Sequence, residues 1–169
     1  MTWSQDVFTV LHTEAIGTIA TVPDGGLVEL LNLCEASDET TVVTLSTEEE
    51  GMGLLFGLHL GGSRGALFMQ SSGTGNCINA LSLPAITRTP CLMLVTMRGQ
   101  QGEMNPWQVP MGQGVVPAFE AMGVTCLWAR AADDIGPRFL QATDLAFGRG
   151  ERVAVLIDQS VIGTKEFAK

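Results

Sequence analysis

The sequence predicts an α/β protein: a doubly wound, mostly parallel six-stranded sheet with helices on both faces. Three observations predict it. Six short runs rich in apolar and β-branched residues alternate with segments of helical period. One of those runs, CLMLVTM, is apolar throughout, as strands are when a parallel sheet covers them on both faces. No internal repeat or low-complexity linker interrupts the 169 residues, so a single domain is expected over 1–169.

The elements follow in order. Trp3, Val7, Val10 and Leu11 have helical spacing, and the apolar run TIATVPD after them is a strand ending in the turn chemistry of Pro23-Asp24-Gly25-Gly26. Leu27, Leu30, Leu31 and Leu33 give the second helix, and TTVVTLS the second strand. Ser46 or Thr47 is placed to cap a helix that begins at Glu48 and runs to Gly61-Gly62. Its sequence, GMGLLFGLHL, has scarcely a polar position and predicts burial nearly all round. ALFMQ is the third strand, SSGTGN its loop, and NCINALSLPAITRT a helix that Pro84 kinks or breaks. CLMLVTM is the fourth strand. A long polar loop over 98–114 precedes a helix near VVPAFEAMG; VTCLWAR, a helix around FLQATDLAFG, and RVAVLID complete the alternation.

Ligands of such sheets bind beyond the carboxyl ends of the strands. Residues 23–26, 47–50, 71–76 and 98–114 therefore form the expected working edge. Composition narrows what binds there. A net charge of -9 with nine scattered basic residues argues against nucleic acid, which needs clustered Lys and Arg. An anionic substrate in so acidic a chain needs local cations or helix N-termini. Cys34, Cys77, Cys91 and Cys126 are too widely spaced for a metal knuckle or redox pair, and each has apolar neighbours, so buried free thiols in a reducing compartment are expected. The N-terminus lacks the pattern of a signal peptide, and no apolar run is long enough to span a bilayer, which reads as cytoplasmic.

Among candidate residues, Glu48-Glu49-Glu50 stands first. Carboxylates suit the first turn of any helix, and that suffices for two of the three. One that opens a buried helix needs a partner or a pocket. SSGTGN lacks the Lys-Ser/Thr of a P-loop and does not fit GxGxxG, so alone it reads as a tight strand-to-helix turn whose amides face the sheet edge. Arg98, one of few cations and placed after an interior strand, is a candidate anion receptor. His12 and His59 fall inside helical patterns and read as structural; no hydrolase triad or metal-ligand cluster is visible.

Four segments, VPDGGL, TEEEGMGLLFGLHLGG, ALFMQSSGTGNCINALS and CLMLVTMRGQQGEMNPWQVPMG, occur in the order and spacing of a known family. From about Val22 to Gly112 the chain resembles the pyrimidine-binding domain of thiamine diphosphate-dependent decarboxylases, most closely the sulfopyruvate decarboxylase alpha chains, with phosphonopyruvate decarboxylases next. The resemblance implies that Glu48 is the acid that activates the cofactor's pyrimidine, since Gly51 and Gly57 occupy the family's small and glycine positions after it; Glu49 fits less well. It implies cofactor contacts at Ser71, Ser72, Gly73, Thr74, Gly75, Asn76 and Gln108, and a small anionic 2-oxo acid as substrate, its far end received by Arg98 and less certainly by Arg88. The family's magnesium and diphosphate motif, GDG with an Asn-rich turn, does not occur here. The resemblance therefore implies a beta subunit that carries the diphosphate-binding domain and holds Mg2+, and an enzyme active only when the two chains pair.

Overall fold

In the computed structural model, which describes residues 2–163, six parallel strands form one sheet in the order β2-β1-β3-β4-β6-β5. They are β1 (Ile16–Thr21), β2 (Thr41–Thr44), β3 (Arg64–Gln70), β4 (Cys91–Thr96), β5 (Val124–Ala129) and β6 (Arg152–Ile157). Every pairing is parallel, so the expected mostly parallel sheet is wholly so. β4 is buried at all six positions, as its continuous apolar run requires.

The helices divide between two faces. On one, α1 (Trp3–Thr13), α2 (Val28–Glu35) and α7 (Ala132–Thr143) cover a core that includes Leu11, Ile19, Leu30, Phe68, Leu94 and Phe139. Phe68 and Phe139 meet edge to face at 6.1 Å, a geometry that adds about 0.5–1.5 kcal/mol to simple burial. On the other, α3 (Glu48–Leu60) and α6 (Gln108–Ala121) enclose Met52, Leu67, Met69, Met93, Val115 and Phe119. Two short helices, α4 (Thr74–Cys77) and α5 (Ser82–Thr87), belong to this second face, and α8 (Gln159–Ile162) follows β6.

The strand order reverses twice. From β1 the chain steps out to β2 and returns through α3 to β3 on the other side of β1; from β4 it skips to β5 and returns to β6. Each reversal opens a crevice at the carboxyl edge, one between β1 and β3 and one between β4 and β6. The N-terminus of α3 lies over the first, and the segment after β4 fills the second.

Several boundaries differ from the sequence expectation. NCINALSLPAITRT is two helices, with Pro84 in the first turn of α5, where its missing N–H costs no intrahelical bond. The loop after β4 is shorter than 98–114 because α6 already begins at Gln108; Asn105 accepts the Trp107 N–H just before it, and Pro110 again sits in a first turn. α7 starts seven residues before the expected Phe139, carrying Pro137 within it, and ends in a π-turn over Asp144–Gly148. α3 is buried on one face only. Gly51, Met52 and Leu55 face the sheet, whereas Leu60 is 71% exposed; Leu83 and Ile86 (83%) of the neighbouring α5 are exposed as well.

Candidate active site

The three glutamates opening α3 part company in space. Glu50 turns back, its carboxylate accepting the Ser46 N–H at 2.9 Å and so tying down the chain just ahead of the helix; the Thr47 hydroxyl makes no cap bond. Glu49 is exposed. Glu48 points inward and is only 7% exposed. Its Oε2 accepts the side-chain amide of Asn76 at 2.7 Å; this is the partner that a carboxylate at a helix start inside the protein needs.

Asn76 belongs to the turn after β3, and that turn is built around Glu48. A Cβ on Gly73 would stand 2.2 Å from Glu48 Oε1, so only glycine lets the acid lie against the backbone here. Ser71 and Thr74 are fully buried; the Thr74 hydroxyl donates to the Ser71 carbonyl at 2.6 Å, and the Ser71 hydroxyl accepts the Arg98 N–H at 3.0 Å. Ser72 is half-buried, while Gly75 faces Met111 of α6. Gln108 opens α6, and its Oε1 is buried with no hydrogen-bond partner among the described residues. The structure thus brings Glu48, the 71–76 turn and, through α6, Gln108 to one edge of the sheet. Asp24, in the turn after β1, anchors this edge by accepting the Thr96 hydroxyl at 2.9 Å.

The two arginines expected to receive an anion stand far apart and in unlike surroundings. The Arg98 guanidinium makes a two-pronged pair with Glu103, Nε to Oε2 at 2.8 Å and Nη2 to Oε1 at 2.7 Å, with both side chains at most 5% exposed. Its charge is neutralised and its fork is engaged. Arg88 ends α5 in a left-handed conformation, exposed, before β4 begins. It therefore lies at the amino edge, a strand length or roughly 20 Å from the edge that holds Glu48.

Sequence reasoning missed Glu103 altogether. Besides Arg98 it takes the N–H groups of Gly99 and Asn105 and the side-chain amide of Gln159. The Arg98 fork, then the Asn105 and Gly99 amides and the Gln159 side chain, hold its carboxyl far below the usual carboxylate range despite burial. An acid five residues beyond Arg98 in a glycine-containing loop was the available signal; nothing in the sequence points to Gln159. Burial pushes the thiols of Cys77 and Cys91 up to about 12 and those of Cys34 and Cys126 to about 11. Among the described residues no group of His, Cys, Asp and Glu is placed to hold a metal ion, and no helix is long and apolar enough to cross a membrane.

Fold and site together define a doubly wound α/β domain whose working edge is a buried carboxylate lodged against a glycine turn. A chain of 2-oxoglutarate:ferredoxin oxidoreductase from Magnetococcus marinus has the same fold, with a TM-score of 0.73 over 95% of this chain and 29% of that one, at 17% identity. No protein-family model matches. Sulfopyruvate decarboxylase subunit alpha of Methanococcus maripaludis is 30% identical over 94% of this chain and 95% of its own length, and the same subunit from Methanothermobacter thermautotrophicus is 31% identical over 93% and 96%. The sulfopyruvate decarboxylase of Methanosarcina acetivorans is 33% identical over 72% of this chain but only 31% of its own. The chain belongs to the family of sulfopyruvate decarboxylase alpha subunits.

Proposed function

We propose that this chain is the pyrimidine-binding alpha subunit of a thiamine diphosphate-dependent sulfopyruvate decarboxylase that releases carbon dioxide and sulfoacetaldehyde. The observation that carries it is the burial of Glu48 against Gly73 and Asn76. The residues present fit the pyrimidine end of that cofactor. Asn76 occupies Oε2 of Glu48, and Oε1 has no hydrogen-bond partner among the described residues. Glu48 can therefore hold or release a proton at N1′ of the ring while Asn76 keeps its carboxyl from rotating. The buried, unpartnered Oε1 of Gln108 offers an acceptor to an N–H of the same group. Ser72, Gly73 and Thr74 supply the wall between them. When bound, thiamine diphosphate supplies the electron sink that lets a 2-oxo acid lose its carboxylate.

The diphosphate and its Mg2+ are assigned to a beta subunit. The absence of GDG from this sequence supports this, as does the match to less than a third of the Methanosarcina acetivorans chain, which leaves that protein room for a further domain. With Arg98 paired to Glu103 and Arg88 at the far edge, the cation that receives the sulfonate is assigned to another residue of the assembled pair. We assign the working complex to the cytoplasm; the unpaired thiols, which a reducing compartment keeps free, support that reading.

Co-expression with a neighbouring chain that carries GDG, followed by assay with sulfopyruvate and other 2-oxo acids, tests the proposal. Carbon dioxide release that depends on cofactor and is abolished by Glu48→Gln is expected. A purified pair that decarboxylates no 2-oxo acid would overturn it.

A further inference from the structure

Resting on the cofactor reading above, we propose that Glu103 is a positioning residue: it locks the segment after β4 so that Ser71 and Gln108 are held at the cofactor's pyrimidine.

Four connections make it the hub. Glu103 grips Arg98 by both prongs of its guanidinium, and the Arg98 N–H in turn donates to Ser71 Oγ in the turn that carries Gly73 and Asn76. It accepts the Gly99 N–H at 3.2 Å. Gly99 has φ +75°, and a Cβ there would stand 2.4 Å from the Gln108 carbonyl; a Cβ on Gly112 would stand 2.1 Å from the Arg98 carbonyl. The backbone at 98–99 is thus wedged against the first turns of α6 and cannot shift without moving them. Glu103 also accepts the Asn105 N–H at 2.9 Å, while the Asn105 side chain takes the Trp107 N–H and its carbonyl the Gln108 N–H, which sets the start of α6. Finally Gln159, just past β6, donates to Glu103 and exchanges two hydrogen bonds with Gln100, closing the crevice between β4 and β6.

A pair this buried is a poor way to gain stability, since apolar residues of the same volume usually do as well. What it supplies is one fixed geometry. Ser71 on one side of the Glu48 turn and α6, with Gln108 and Met111, on the other both take their positions from Glu103, although the carboxylate itself is sequestered from the site.

The test uses the assembled pair and three variants: Glu103→Gln, Arg98→Met and the double variant Arg98→Met/Glu103→Gln. The double variant removes both charges together, so it folds even where a single variant, with one buried charge left alone, does not. Cofactor affinity is read by calorimetry with thiamine diphosphate and magnesium, alongside the thermal midpoint and steady-state rates. The double variant is expected to recover most of the thermal midpoint lost by the singles yet bind cofactor ~10-fold more weakly, as after losing one positioning contact. Its kcat at saturating cofactor should stay within about threefold of wild type, a split that a purely structural role does not produce. A wild-type pair that binds cofactor beside a double variant of equal affinity overturns this inference alone. A wild-type pair that binds no cofactor overturns the proposed function and this inference with it.

Discussion

Asn76 donates its side-chain amide to Oε2 of Glu48 at 2.7 Å, so the turn after β3 holds the acid that opens α3, 28 residues earlier in the chain. One oxygen of Glu48 is thereby fixed, and the other lies against Gly73. Replacing Asn76 by Ala frees the carboxyl to rotate and leaves it short of a donor. The expected cost is about 1–3 kcal/mol of transition-state stabilisation, or roughly 5- to 150-fold in kcat, with the thermal midpoint little changed because Asn76 borders solvent. Steady-state kinetics of the paired enzyme measure it.

Gly73→Ala tests the close approach from the other side. The backbone at Gly73 is an ordinary right-handed one (φ -70°), so alanine brings no strain of its own. The added methyl lands on the Glu48 carboxyl. Activity should fall by at least 100-fold, comparable to removal of a general acid. Gly75→Ala, whose methyl meets only the flexible end of Met111 at 3.3 Å, should retain most of it. Equal losses in the two variants would show that Gly73 is not special.

Arg98 and Glu103 should behave as a coupled pair under denaturant. Arg98→Met alone leaves a buried carboxylate uncompensated and is expected to cost about 3–5 kcal/mol in urea unfolding, whereas losing both charges costs well under the sum of the singles. The pair also sets an acid limb. Glu103 titrates far below its unfolded value of about 4.3, so its contribution is complete above that pH and is lost as pH falls through the folded value. Glu103→Gln should flatten stability against pH below about 4.3 and leave the slope near neutrality unchanged.

The thiols should be inert in the folded chain. With Cys34, Cys77 and Cys91 buried and raised to about 11–12, iodoacetamide at pH 8 should modify none of them within the time that labels an unfolded chain completely. Cys126, half-exposed and raised to about 11, should react slowly and first. Mass spectrometry of tryptic peptides gives the order. Rapid labelling of Cys77 would mean that the turn beneath Glu48 opens far more often than its packing implies.

How much of this was legible in the sequence depended on the distance over which each feature is determined. The six strands are local patterns of apolar and β-branched residues, and all six were readable. That one of the three glutamates opening α3 is buried with a partner was readable too, because a carboxylate opening an apolar helix is an anomaly visible within ten residues; the choice of Glu48 among them came from the resemblance. The start of α6 was not, since Pro110, Gly112 and Gly114 disguise a helix held in place by Asn105 and by packing against 98–99. The pairing of Arg98 was hidden for a related reason: an isolated cation looks free until the loop closes and brings Glu103 onto it. Gln159 lies 56 residues from Glu103, and no local pattern encodes that meeting. The burial of α3 was overestimated because composition counts apolar residues without showing which of them the sheet covers.

Leu60 of α3 and Leu83 and Ile86 of α5 stand bare to solvent, so a concentrated solution of this chain presents the kind of surface that drives clumping and attracts proteases.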